Sequence, residues 1–301
     1  MTKTVFAAVC GKANAGKSSL VNLLVGEKVA ITGEKPQTTR ARINGVLTRG
    51  EIQYVFTDTP GLHKPENTLS RHMLKSIRSG AAGADAILFV ADCSKKSGGA
   101  DASVLEFLEN VRGSDVILLL NKIDLVKDKS ALLGIIDEYR KIYGFAQIIP
   151  ISVKDGTNTE KILPLLSSYA KKSEFFFEPG LSTDQSERVW LSEIIREKLL
   201  NALREEVPHG IAVGVESVAD GKTKKGEEIV DVSAVIVCEK QSHKGMVIGK
   251  GGALLKKIGE SARMETEEYF GRKVNLKLWV KVAEDWRNRE NLINKFGLKS
   301  E

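Results

Sequence analysis

Gly11-Lys12-Ala13-Asn14-Ala15-Gly16-Lys17-Ser18-Ser19 (GKANAGKSS) stands between the apolar run Val5–Val9 and the helical stretch Leu20-Val21-Asn22-Leu23-Leu24. Its first eight residues fit G-x-x-x-x-G-K-[ST] in full, and the strand-then-helix setting is the one in which that spacing makes a phosphate-binding loop. Glycines let successive backbone N–H groups turn toward an anion, and the helix that starts here adds the positive end of its dipole. Lys17 is the candidate to reach the β- and γ-phosphates, and the Ser18 hydroxyl is a candidate Mg²⁺ ligand. Lys12, Ala13, Asn14, Ala15 and Ser19 complete the cradle.

Outward from this loop, strand-like apolar runs alternate with helical ones as far as Ala170, the pattern of an α/β domain with a mostly parallel sheet. The strand candidates are Val5–Val9, Ile52–Phe56, Ala86–Ala91, Val116–Leu120 and Ile148–Ile151. Ligands bind such sheets at the carboxyl ends of the strands, so the clusters Gly11–Ser18, Asp58–Gly61, Asn121–Asp124 and Ser152–Lys154 are expected to converge. Near Lys171–Arg188 the texture changes to charge, Pro, Gly and Ser around Phe175-Phe176-Phe177, which reads as a linker whose aromatic patch packs between domains. The expected organisation is 1–172 as nucleotide domain, 173–188 as linker and 189–301 as a second domain. That domain reads as a helix Val189–Val207 stopped by Pro208, strands Ile211–Val218 and Ile229–Val237, a helix Ala253–Phe270, a strand Val274–Val282 and a trailing helix from Glu284 to Lys295.

The 301 residues are 42% hydrophobic and 28% charged, a globular composition that excludes wholesale disorder. The N-terminus lacks a signal-peptide pattern and no apolar run is long enough for a bilayer, so a cytoplasmic protein is expected. Cys10, Cys93 and Cys238 are scattered without a C-x-x-C pair, so a zinc site or disulfide framework is not expected and buried thiols are. A net charge of +6 suits an acidic partner, nucleic acid or an anionic membrane face, without choosing between them.

Asn121-Lys122-Ile123-Asp124, at the end of an apolar strand, selects the base. Guanine offers N1–H and N2–H₂ donors on one edge, and an ionised carboxylate accepts both; adenine has no such pair. Asp124 is therefore the guanine reader, Asn121 the brace, and Lys122 lays its apolar stem along the base. Ser152-Val153-Lys154 offers backbone N–H groups to guanine O6. Asp58-Thr59-Pro60-Gly61 places a carboxylate for Mg²⁺ and a glycine N–H for the γ-phosphate, and Thr59, Pro60 and Leu62 are expected to line the nucleotide site with them. In Pro36-Gln37-Thr38-Thr39-Arg40, either Thr38 or Thr39 completes the Mg²⁺ shell. His63 reads as a solvated loop residue.

The ordered set GKANAGKS, PQTTR, DTPG, NKID and ISVK resembles a translation-factor-class GTPase of the Era group. The resemblance implies GTP and GDP as ligands with Mg²⁺, hydrolysis involving Lys17, Thr38, Thr39, Asp58 and Gly61, and switch loops around Thr38–Thr39 and Asp58–Gly61. Leu62 stands where a Ras-like enzyme has a water-positioning glutamine, so slow intrinsic turnover is expected.

Gly249-Lys250-Gly251-Gly252 fits the GXXG loop of KH domains, which clamps the backbone of single-stranded nucleic acid. Val247 and Ile248 are expected to offer apolar surface to bases, and Lys222, Lys224, Lys225, Lys240 and Lys244 to add positive charge. The surrounding α–β–β–α–β order is similar to a prokaryotic-type (type II) KH module. A GTPase domain followed by this module resembles the Era group over essentially the whole chain. That implies a monomeric protein acting in 30S ribosomal subunit assembly, holding the 3′ end of 16S ribosomal RNA, with peripheral contact at the inner face of the membrane. An RNA chaperone with a structural GTP site and a membrane-directed GTPase are the alternative classes.

Overall fold

The computed structural model describes residues 1–298 apart from 34, 36, 95–101, 129, 204–206 and 224–225. Pro36, Lys224 and Lys225 therefore lie outside the described residues. The chain divides into two compact units, the first comprising Met1–Glu66 and Ser70–Asp184 and the second running from Gln185 onward.

In the first unit the elements are β1 Lys3–Gly11, α1 Lys17–Val25, β2 Ile43–Arg49, β3 Ile52–Asp58, α2 Thr68–Ala82, β4 Ala86–Asp92, α3 Ala102–Asn110, β5 Val116–Asn121, α4 Ser130–Ile142, β6 Gln147–Pro150, α5 Ile162–Ser167 and the short β7 Lys171–Lys172. The sheet order is β2-β3-β1-β4-β5-β6, with β7 beside β1. Pairing is parallel except for β2 with β3 and β7 with β1. β1 reads as an unbroken apolar run because both faces are covered. Val5, Ala7 and Val9 enter one core with Leu20, Val21 and Leu24 of α1 and Ile162 of α5. Ala8 and Cys10, one residue out of phase, enter the other with Ile77 of α2, Phe107 of α3 and Tyr139 of α4. All three cysteines are buried.

β2 escapes a sequence reading because Asn44 and Gly45 interrupt its apolar pattern. Gly45 is required by proximity: a Cβ there would lie 2.8 Å from Val21 Cγ1 and 2.9 Å from Val25 Cγ2 of α1.

Residues 173–184, expected as linker, lie along this unit. Val46 N donates to Ser182 O at 2.8 Å, and Thr183 Oγ1 to Asn44 O at 2.9 Å. The fully buried Gln53 is the main latch. Its Oε1 accepts from Phe176 N and Phe177 N at 2.9 and 3.0 Å, while its Nε2 donates to Phe177 O at 2.8 Å. The Phe176 ring meets Phe6 edge-on at 4.9 Å. Gln53→Ala would strand these backbone groups, so a loss of about 1–3 kcal/mol is expected. Urea unfolding checks it, and an unmoved midpoint would show that the latch contributes nothing.

The second unit contains α6 Glu187–Ala202, β8 Ile211–Lys222, β9 Glu228–Cys238, α7 Gln241–Ile248, α8 Ala253–Phe270, β10 Lys273–Val282 and α9 Glu290–Lys295. β9 is central, antiparallel to β8 and parallel to β10. Val230, Val232, Ala234 and Ile236 alternate along β9 and are all buried. α7 is absent from the sequence reading because its single buried residue, Val247, leaves no apolar stripe. The trailing segment is split: Asp285 has φ 53°, a turn Trp286–Asn288 follows, and the fully buried Trp286 donates from Nε1 to Gly210 O at 3.0 Å. No helix among the described residues is long and apolar enough to cross a membrane.

Candidate nucleotide and nucleic-acid sites

The loop after β1 is shaped by two glycines that no other residue replaces. Gly11 has φ 144° and a Cβ there would sit 2.2 Å from Val90 O; Gly16 has φ 97° and its Cβ would sit 2.3 Å from Asn121 Nδ2. Gly16 caps α1, whose first residue is Lys17. Lys17 is 5% exposed and donates from Nζ to Lys12 O at 2.9 Å. Burial pushes its ammonium below the usual lysine range, with Asp58 and Cys10 opposing. A buried cation beside a ring of backbone N–H groups fits a polyanion.

Three oxygens meet next to it. Ser18 Oγ donates to Asp58 Oδ2 at 2.6 Å, the Ser18 and Thr39 hydroxyls are 2.8 Å apart, and Thr39 Oγ1 is 3.4 Å from Asp58 Oδ2. Asp58 is fully buried, its Oδ1 has no hydrogen-bond partner, and burial pushes its carboxyl up to about 6. Hard oxygen donors around an unmatched carboxylate suit Mg²⁺, which prefers few protein ligands completed by phosphate and water. Thr38 turns elsewhere, donating to Lys35 O at 2.7 Å, so Thr39 is the threonine that faces this cluster.

Asn121 joins the loops expected to hold the base. Its Nδ2 donates to Ala15 O at 2.8 Å and its Oδ1 accepts from Val153 N at 3.1 Å, tying the phosphate loop to the 121–124 and 152–154 loops. Ser152 Oγ donates to Asp124 Oδ1 at 2.8 Å, while Ile123 N donates to Ile151 O at 3.3 Å. A cleft of about 980 Å³ is lined by Asn121, Lys122, Asp124, Val153 and Lys154 together with Gly16 and Ser19. Gly16 and Ser19 also line a smaller recess of about 50 Å³ with Ala13, Asn14, Lys17, Ser18, Thr39 and Gly61.

The loop after β3 lies against the phosphate loop. Thr59 Oγ1 donates to Val9 O at 2.8 Å, and Leu62 N donates to Gly11 O at 3.0 Å. A Cβ at Gly61 would lie 2.6 Å from Ala13 N, so glycine permits this approach. Pro60 is buried, and Leu62, 6% exposed, packs with Ala8, Cys10 and Phe89 and offers no polar group. His63, read from sequence as solvated, is half-buried with Nδ1 2.7 Å from Gly61 O. A carbonyl accepts only, so Nδ1 carries the proton. One contributor the sequence reading missed is Asn22 of α1: its Oδ1 accepts from Val29 N and Ala30 N at 3.0 and 2.9 Å, and its Nδ2 donates to Ala30 O at 2.8 Å. The signal was present as a lone amide in an apolar helix.

In the second unit α7 ends at Ile248 and α8 starts at Ala253, and the turn between them is Gly249-Lys250-Gly251-Gly252. Gly249 has φ 72° and its Cβ would lie 2.7 Å from Leu254 Cβ; Gly251 and Gly252, at φ 59° and 82°, have open space around theirs. Lys250, Lys240 and Lys222 are exposed and Lys244 is half-buried. Val247 is fully buried, which corrects its assignment as a base-facing residue: the turn of α7 points it into the core. Half-buried Ile248 and Met246, 54% exposed, supply the apolar surface instead.

Residues 6–122 match the family model described as 50S ribosome-binding GTPase, and residues 206–287 match the KH domain model. The fold and its two sites thus define a P-loop GTPase domain followed by a KH domain. The GTPase Era of Clostridioides difficile strain 630 is 47% identical over 297 residues, 99% of each chain. The chain belongs to the Era family of GTPases. Two solved structures are similar over 99% of this chain and 100% of theirs, each at 35% identity: Era in complex with MgGDPNP and nucleotides 1506–1542 of 16S ribosomal RNA, TM-score 0.93, and a variant of Aquifex aeolicus Era bound to GDP·AlF4⁻, TM-score 0.92.

Proposed function

We propose that the chain hydrolyses GTP to switch a state bound to the single-stranded 3′ end of 16S ribosomal RNA, and that it acts in 30S subunit assembly. The observation that carries the nucleotide half is Asn121, whose amide joins the phosphate loop to the guanine loop so that both face one cleft. Support for the RNA half is the open glycine turn between α7 and α8 and the rRNA complex of a similar Era.

Backbone N–H groups of residues 12–18 hold the phosphates, Lys17 neutralises the β- and γ-oxygens, and Gly61 N–H meets the γ-phosphate. Ser18, Thr39 and Asp58 would hold Mg²⁺. When bound, that ion would supply positive charge to offset the charge that develops on the phosphate oxygens. Leu62 excludes water from beneath the loop and activates none, so turnover without a partner is slow. Loss of the γ-phosphate removes the contacts that order the loops around Thr39 and Gly61. The protein works in the cytoplasm, with any membrane contact peripheral and drawn by its net charge of +6.

The enzymatic reading predicts multiple-turnover phosphate release from GTP by the full chain, faster with 30S subunits; a single turnover under both conditions would leave an RNA chaperone with a structural nucleotide. For the RNA half, Gly251→Asp is the sharper substitution. Its φ of 59° lies in the left-handed region, which aspartate enters more readily than most residues, and no atom lies within 4 Å of its Cβ, so a negative charge enters the turn without a steric clash; circular dichroism checks that the variant is folded. RNA affinity is expected to fall by roughly 10–100-fold, the scale of losing a charge-assisted contact. The loss is equal for all single-stranded sequences because the contact is to backbone. Wild-type filter binding by this variant would remove the turn from the RNA site.

A further inference from the structure

β4 ends in Asp92 and β5 beside it in Asn121, paired across the parallel ladder. Lys122, the next residue, is held at φ 70°, an uncommon conformation outside glycine. Its Nζ donates to Asp92 Oδ2 at 2.7 Å. The second carboxylate oxygen, Oδ1, accepts from Ser94 N at 3.0 Å and Ser94 Oγ at 2.6 Å, so Asp92 is held from both sides. Asp92 is 10% exposed and Lys122 30%. Burial pushes the Asp92 carboxyl up, but Lys122 and Ser94 outweigh it and hold it below the usual carboxylate range. Cys93, between them, donates from N and from Sγ to Asn121 O at 3.0 and 2.9 Å.

Lys122 lines the large cleft, yet its ammonium is committed to the end of β4. A lysine stem free in solvent has many rotamers to lose when a ligand packs against it, and fixing it beforehand raises affinity by removing that cost. Partly exposed ion pairs add little to stability. The effect of this pair therefore falls on the shape of the cleft.

We propose that Asp92 is a positioning residue for guanine-nucleotide binding: it anchors Lys122 so that the lysine stem stands as a fixed wall of the base cleft. The proposal rests on the reading of 121–124 as the base loop. It contains no contact between Asp92 and the nucleotide, so its whole influence passes through Lys122.

The test is a double-mutant cycle in the full chain, read by stopped-flow affinity for ribose-labelled fluorescent GDP. Asp92→Asn is expected to weaken binding by roughly tenfold, mostly through faster release. Ser94→Ala, on an exposed side chain, weakens it in the same direction by less. Lys122→Met weakens it at least as much as Asp92→Asn, and adding Asp92→Asn or Ser94→Ala to Lys122→Met changes nothing further. Losses that multiply in the double variants would mean that Asp92 supports the end of β4 generally and would overturn the proposal. So would wild-type affinity of Asp92→Asn alongside a weakened Lys122→Met. Wild-type affinity of Lys122→Met would remove the lysine wall and overturn the proposal, whereas failure of the base-loop reading beneath it would show as unchanged GDP affinity in Asp124→Asn. Should Asp92→Asn lose its thermal transition, the Ser94→Ala cycle decides by the same criterion.

Discussion

Lys17→Ala is expected to cut the rate of phosphate release from GTP by at least about 10²–10³-fold, the range seen when one preorganised electrostatic donor is removed from a developing anion. Nucleotide affinity should fall with it, because ground-state and transition-state phosphates face the same ammonium. The stability of the nucleotide-free protein should not fall. Lys17 is 5% exposed and burial disfavours its charge, so the bare site carries a desolvation cost that alanine removes. The hydrogen bond from Nζ to Lys12 O goes with the ammonium and offsets part of that gain. Thermal melts separate these effects. Excess GDP should raise the wild-type melting temperature by the linkage of binding to folding, whereas the variant starts as high and gains little. A variant that gains as much from GDP as the wild type would take Lys17 out of the phosphate site.

The same contrast between local pattern and tertiary placement decides how much was legible in the sequence. β1, β4 and β5 were readable because burial on both faces leaves unbroken apolar runs, and the loops at their ends carry residue types with one plausible chemistry. β2 was hidden by Asn44 and Gly45, which serve packing against α1 and not strand propensity. Thr38 and Thr39 are adjacent and chemically equal, so only the loop's path, which sends one hydroxyl to Lys35 O and the other toward Ser18 and Asp58, separates them. Val247 looked like a ligand-facing residue next to the glycines until α7 turned it inward. Asp92 lies thirty residues from Lys122 in the chain, and nothing in local composition links them; register between β4 and β5 does. Nothing local in the Phe175–Phe177 stretch shows that the backbone of Phe176 and Phe177 is held by Gln53, a pairing that bridges 123 and 124 positions.

Asp124→Asn is expected to lower affinity for GDP by about 100-fold and to raise affinity for the xanthine nucleotide by a similar factor. Two charge-assisted hydrogen bonds are at stake, each of the order of 1.5–3 kcal/mol, and the exposure of Asp124 keeps the sum well below their total. The direction follows from Ser152. Its Oγ accepts from Asp155 N at 3.2 Å and donates its one proton to Asp124 Oδ1 at 2.8 Å. Asparagine therefore keeps its carbonyl oxygen toward Ser152 and turns its NH₂ into the cleft. There it meets the N2–H₂ of guanine, donor against donor, but the O2 of xanthine, donor against acceptor. Ser152 thus sets the sign of the specificity change as well as holding the native carboxylate. Competition calorimetry with GDP and xanthosine diphosphate measures both arms. Unchanged GDP affinity would remove Asp124 from base recognition; a GDP loss without any xanthosine gain would show that the amide turns the other way and that Ser152 does not control it.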